Sequence, residues 1–354
     1  MNEYRMQYSF IDFFADQALL EQFGGYAAWE DDVDQNIVRR PVVDRSRLLP
    51  EIRLMLEEND RLGAKPVEEQ TPAEARASSE IRLGNHWGNK DAFDAIKTFS
   101  IAGEGYALPA RLYLFAQSRN TILYFHGGGW VVGSLETHDG ALRALALAAR
   151  ANILSVEYRK APEAPFPAGL DDAELALRWL QENGAARGCD ARRVIAAGDS
   201  AGASIAAALA MRARDAGRPL FGQALIYPAT DLLNPTESRS AFALGYSLNK
   251  TTLDWFADQY LSGGVSPDHH EVSPLLAPDL NSLPPTLLVT ADHDPLRDEG
   301  RAYAAALIRA GNHVTYEEWR GVVHGFMIMD RTTPAARQLI GAIARWCNDL
   351  WSRR

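Results

Sequence analysis

The stretch "RVIAAGDSAGASIAAALA", Arg193–Ala210, decides the fold. It begins as a β-prone run, passes through Gly198-Asp199-Ser200-Ala201-Gly202 and continues as a helical run of small residues. A G-x-S-x-G turn between a strand and a helix forces its serine into a strained backbone conformation, and only small flanking residues avoid collision there. Glycine at 198 and at 202 meets that need. The turn also puts the Ala201 amide at the start of the next helix, where unpaired N–H groups favour a developing negative charge.

Outward from this turn, the chain from Ile96 alternates short β-rich runs with helical stretches. The runs are "IKTFSIA", "ARLYLF", "TILYFH", "NILSVEY", "RVIAAG", "QALIYP", "TLLVTA" and "VTYEEW", which makes eight candidate strands. Alternation of this period predicts βαβ units, right-handed crossovers and a mostly parallel α/β sheet flanked by helices. The stretch 231–282 carries no strand pattern, only turn residues and a helical "TTLDWFADQYL", and is expected to be an element inserted over the sheet edge. Residues 1–95 read as helical, with apolar spacing in "IDFFADQALLEQF" and in "RSRLLPEIRLMLEENDRLG", which stops at Gly63 and Pro66. "VEEQTPAEARASSEIR" is polar and reads as helix or surface loop. The expected division is therefore an N-terminal helical region 1–95, a core of 96–230 and 283–354, and the insertion 231–282.

A second glycine-rich stretch, "ILYFHGGGWVVGS" (Ile122–Ser134), follows a strand and bares its main chain at Gly127, Gly128 and Gly129. A phosphate cradle is one use for such backbone. The dinucleotide pattern fails, because Val132 stands where the third glycine belongs and Gly133 comes one late; a Walker loop fails because Ser134 replaces its lysine. Glu157, closing the next strand, is the one feature in favour of a nicotinamide site. An oxyanion hole is the other use, and it serves the nucleophile already found at Ser200.

A base and an acid should lie beyond the carboxyl ends of strands. Among His269, His270, His293, His313 and His324, only His324 follows the last strand in a loop suited to a base; His293 sits between Asp292 and Asp294 as a turn residue, and His313 precedes its strand. The acid must share a rim with that loop in order to fix the imidazole tautomer. Asp294, before a proline in "ADHDPLRDEG", is favoured over Asp231, while Asp298 and Glu299 suit the first turn of the next helix.

Composition agrees with a globular chain: 47% hydrophobic and 23% charged residues over 354 positions leave ample core. A net charge of -10 argues against nucleic acid and anionic membrane partners. Cys189 and Cys347, far apart, exclude a disulfide framework, and with charges scattered through the first twenty residues they suggest a cytoplasmic setting without membrane insertion.

"HGGGW", "GDSAG", "DPLRDEG" and "HGF", in this order, together with "YRKAPEAPFPAGLDD", resemble the hormone-sensitive-lipase-like group of α/β-hydrolase esterases, and especially its bacterial acetyl esterase-like members. The likeness covers roughly residues 96–326. It implies Ser200 as nucleophile, Asp294 as acid and His324 as base, with the amides of Gly128, Gly129 and Ala201 as the oxyanion hole. His126 and Gly127 would support the glycine loop. It further implies a helical cap made of the N-terminal region and the insertion, a small-molecule ester of short acyl chain as substrate, and no metal or organic cofactor; self-association is left open. Ala203, where many members have a third glycine, and Lys160, in place of a common leucine, are the departures. An amide- or formamide-cleaving hydrolase would use the same residues, whereas a receptor that binds without turnover would be expected to lack one of them.

Overall fold

The computed structural model describes residues 5–7, 43–93 and 95–353. All eight expected strands are present: β2 (Ile96–Ala102), β3 (Ala107–Tyr113), β4 (Thr121–Phe125), β5 (Asn152–Val156), β6 (Val194–Asp199), β7 (Gly222–Ile226), β8 (Thr286–His293) and β9 (Val314–Val323). A ninth, β1 (Arg5–Gln7), pairs antiparallel with β9, so the expectation of helix from residue 1 is corrected there. Three residues carry no periodicity of their own, and the pairing is made across the whole chain. The helical reading of "IDFFADQALLEQF" falls outside the described residues.

The strand order is β1-β9-β8-β7-β6-β4-β5-β3-β2, parallel from β5 through β9 and antiparallel at both ends. Strands β4, β5, β6 and β7 are buried along their whole length, which is why they read as apolar runs rather than as alternating ones. Successive residues still point to opposite faces. Ile122 and Tyr124 enter a core with α3 (Leu135–Ala149) and α9 (Ala335–Ser352); Leu123 and Phe125 enter another with α4 (Ala168–Asn183), α5 (Ala201–Asp215) and α8 (Arg297–Arg309).

In the N-terminal region, α1 (Pro50–Leu62) begins with proline and ends on Gly63 in the left-handed conformation. The polar stretch resolves into a short turn at Val67–Glu69 and α2 (Pro72–Gly84), whose start is fixed by a capping box between Thr71 and Glu74. The insertion contains α6 (Glu237–Ala241), α7 (Lys250–Tyr260) and a turn at Pro274–Leu276, and no strand.

The chain leaves β4 to form β5 on one side and returns to form β6 on the other. That reversal opens a crevice beyond the carboxyl ends of β4 and β6, where the glycine loop and the serine turn meet. The approach is close: a Cβ on Gly202 would overlap the Phe125 carbonyl oxygen, and one on Gly198 would lie 2.7 Å from it. Both neighbours are backbone and cannot move aside. Gly202→Ala is therefore expected to cost about 3 kcal/mol or more, at the upper end of core overpacking. Urea unfolding would measure it, and a variant within about 0.5 kcal/mol of wild type would remove the claim that this contact is tight.

Candidate active site

Ser200 occupies the turn between β6 and α5 with φ 55° and ψ −125°, a conformation that costs a non-glycine residue about 1–3 kcal/mol. It is held from both sides. Its N–H donates to the Ile226 carbonyl at 2.8 Å, and its own carbonyl accepts the amides of Ala203 and Ser204 at 2.9 and 3.2 Å.

The expected partners converge on its hydroxyl. His324, just past β9, places Nε2 2.8 Å from Ser200 Oγ and Nδ1 2.7 Å from Asp294 Oδ2. Asp294, just past β8, is fully buried, and its other oxygen accepts the Leu296 amide at 2.8 Å. Tyr227 closes the imidazole from a third side, with ring centroids 4.8 Å apart.

In the loop after β4, three successive peptide planes are pinned. The His126 carbonyl accepts from Tyr158 Oη at 2.8 Å, and the N–H of the same plane, that of Gly127, donates to Asp199 Oδ1 at 2.9 Å. The Gly127 carbonyl is held by His126 Nδ1 at 2.9 Å. The Gly128 carbonyl accepts the amides of Val131 and Val132 at 3.1 and 2.9 Å. Carbonyl and N–H of a trans peptide point in opposite directions, so holding these two carbonyls aims the amides of Gly128 and Gly129 the other way. Gly129 adopts φ 57°, and the Phe256 ring of α7 lies directly against it. One residue further, Trp130 stacks on Tyr260 of α7 at 4.2 Å.

Other sequence candidates have different places. Asp231 caps its own turn, accepting from the amides of Leu233 and Asn234 at 2.9 and 3.0 Å. Glu157 accepts the Leu135 amide at 2.7 Å and pairs with Lys160, whose ammonium also reaches the Gly133 carbonyl; it therefore braces the glycine loop. His313 lies at the opposite end of the sheet, where its carbonyl accepts from Thr286 at 2.8 Å. His269 and His270 stack on each other in the insertion. His293 is the last residue of β8 rather than a turn residue, because its ring packs against Phe242 and Tyr246.

Glu299 departs furthest from expectation. It does lie in the first turn of α8, but it is buried rather than solvent-facing, since it accepts the amides of Thr230 and Asp231 at 2.8 and 3.3 Å and pairs with Arg239 of α6 at 2.7 Å. Burial pushes its carboxyl up to about 7 against the pull of Arg239 and those amides. Its partners lie some sixty residues away in sequence, so no local signal marked it.

A family profile described as the alpha/beta hydrolase fold matches residues 122–328. The carboxylesterase NlhH of Mycobacterium tuberculosis is 43% identical over 243 residues, covering 66% of this chain and 76% of that protein. The carboxylic ester hydrolase LipN of the same organism is 35% identical, covering 82% and 79%. An ethyl acetate hydrolase of Pseudomonas putida is 38% identical, covering 78% and 90%. Among solved structures, an ester hydrolase from the metagenome of Lake Arreo superposes with a TM-score of 0.83 at 37% identity, covering 86% of this chain and 99% of that one. Fold and relatives together define a carboxylic ester hydrolase of the α/β-hydrolase class. The chain belongs to the hormone-sensitive-lipase-like esterases of that fold. No helix among the described residues is long and apolar enough to cross a membrane.

His126 offers a test of how the glycine loop is held. Complete burial lowers its pKa from 6.5 to about 4, with Lys160 and His138 acting in the same direction and Glu157 against them. A native value below the unfolded one means that the unfolded chain takes up a proton the fold refuses. The contribution is therefore fully present above 6.5 and is lost as pH falls toward 4. Between pH 6.5 and about 4.5, wild type should lose on the order of 2–3 kcal/mol more than His126→Asn, measured by denaturant titration at each pH. A stability gap that does not change with pH would contradict this placement.

Proposed function

We propose that this chain is a serine carboxylesterase that cleaves short-chain acyl esters, acetyl to about hexanoyl, through a covalent acyl-enzyme. The observation that carries the reading is the unbroken contact Asp294–His324–Ser200, at 2.7 and 2.8 Å, at the crevice where the strand order reverses.

In this mechanism Ser200 Oγ attacks the ester carbonyl while His324 Nε2 takes its proton. Asp294, bonded at Nδ1, fixes the tautomer that leaves Nε2 free to accept and stabilises the imidazolium that forms. The carbonyl oxygen becomes an anion held by the amides of Gly128, Gly129 and Ala201, the first two aimed by their pinned planes and the third at the helix start. Collapse of the intermediate expels the alcohol, which takes the proton from His324. Water, deprotonated by the same nitrogen, then adds to the acyl carbonyl, and the acid departs as Ser200 regains its proton.

The N-terminal helices α1 and α2 and the insertion 231–282 act as a helical cap on the core formed by 96–230 and 283–354. Support comes from the hydroxyls of Thr251 and Thr252 on the Glu68 carboxylate and from the cluster of Val67, Ala75, Val131, Val132 and Phe256, which join both regions to the glycine loop. Small acyl groups are supported by relatives named for ethyl acetate and acetyl hydrolysis. Two buried free thiols fit a cytoplasmic setting.

Ser200→Ala should lower kcat by about 10⁴-fold or more with the fold intact by circular dichroism. Near-normal turnover of p-nitrophenyl acetate by that variant would end the proposal. Asp294→Asn should be far more damaging than Asp231→Asn. Initial rates over p-nitrophenyl esters from C2 to C12, with an anilide control, should peak among the short chains; a peak at C10–C12, or faster anilide cleavage, would replace the substrate class.

A further inference from the structure

We propose that Asp199, the residue between Gly198 and the nucleophile, is the positioning residue of the oxyanion loop: its carboxylate sets the plane from which the Gly128 and Gly129 amides are aimed. The inference rests on the reading of those amides as oxyanion donors.

The carboxylate sits at the end of β6, where Gly198 pairs with Phe125 of β4, and only 4% of its residue surface is exposed. Two donors converge on its Oδ1, and a third polar group stands close by. Gly127 N–H reaches it at 2.9 Å and Tyr124 Oη at 2.8 Å; His138 Nε2, from α3, stands 3.1 Å away in a close polar contact without hydrogen-bond alignment. Oδ2 lies so close beneath Gly127 that a Cβ there would collide with it, so the glycine loop rests on this group. Burial pushes the carboxyl up, but His138, Tyr124 and the Gly127 amide outweigh it and hold the group below its ordinary value. A carboxylate only accepts, and one charged oxygen can receive several donors at once. Asparagine can keep one acceptor oxygen at the Oδ1 position, but it loses the charge that holds these groups together and puts an NH₂ group at the Oδ2 position beneath Gly127.

Asp199 touches neither Ser200 Oγ nor His324 among the contacts described, whose partners are each other and Asp294. Its influence therefore passes through the loop. It pins the N–H of the first glycine, while His126 and the amides of Val131 and Val132 pin the next two carbonyls. Releasing the first plane lets the next two tilt. The loss should then appear where charge develops on oxygen and hardly at all in ground-state binding.

The test compares wild type, Asp199→Asn, Tyr124→Phe and the double variant, using p-nitrophenyl acetate and an alkyl trifluoromethyl ketone, which adds to the serine as a tetrahedral oxyanion. For Asp199→Asn, kcat should fall about 10–100-fold with KM within about threefold, and Ki for the ketone should rise by the same factor. Tyr124→Phe should move both in the same direction by about 3–10-fold, and the double variant should be no worse than about twice Asp199→Asn, because the two side chains act as one unit. A wild-type kcat in Asp199→Asn, a kcat loss with Ki unmoved, or multiplying effects in the double variant would overturn the assignment. If Asp199→Asn does not fold, Tyr124→Phe decides, and unchanged kcat and Ki there reject the proposal. Failure of the underlying reading looks different: wild type would bind the trifluoromethyl ketone no more tightly than its methyl ketone, whatever Asp199 does.

Discussion

The structure depends on one close contact, the approach of the β6–α5 turn to the end of β4, where only glycine fits between Gly202 and the Phe125 carbonyl. It brings two backbones together across the point where the strand order reverses. A side chain on either glycine would push the glycine loop away from the serine, and the amides that follow it would no longer share a crevice with Oγ. Packing density explains why this cannot be a soft constraint. Strands β4 and β6 are buried along their length, so neither can recede without opening a void.

From that contact the strain at Ser200 becomes intelligible. A positive φ on serine survives only where its surroundings over-determine it, and here the N–H and carbonyl are both committed, to Ile226 and to the first turn of α5. The helix start fixes the serine's direction, while β8 and β9 deliver Asp294 and His324 from neighbouring strands. Three loops from non-adjacent parts of the sequence thus meet because parallel strands all end on the same rim.

What was legible in the sequence follows the same division. The eight strands from Ile96 on, the serine turn, the glycine loop and the position of His324 and Asp294 just beyond strand ends could be read because each is local: a run of apolar residues, a pair of glycines, a position just after a strand. The features that escaped are those decided at long range. β1 exists because β9 offers an open edge, and three residues cannot announce that. Glu299 looked like an ordinary acidic residue of a helix start, and only the Thr230 and Asp231 amides and Arg239 make it a buried one. Asp199 sits inside the motif without a local signal of what it does, since its partners Tyr124 and Gly127 come from another strand and the loop after it.

These carboxylates have a common logic. Loops on the rim of the sheet must expose main chain to do chemistry, and their buried amides still need acceptors. A buried carboxylate answers that need, because it accepts several donors and its burial is tolerable only when they are all present. Asp199 joins β6 to β4 and the glycine loop, Asp294 joins the end of β8 to His324 beyond β9, and Glu299 joins α8 to the loop after β7 and to Arg239 of the insertion. Each adds directed hydrogen bonds between segments that hydrophobic packing also brings together. A rim held this way has its geometry set by hydrogen-bond direction as well as by the close steric fit at Gly202 and Gly129.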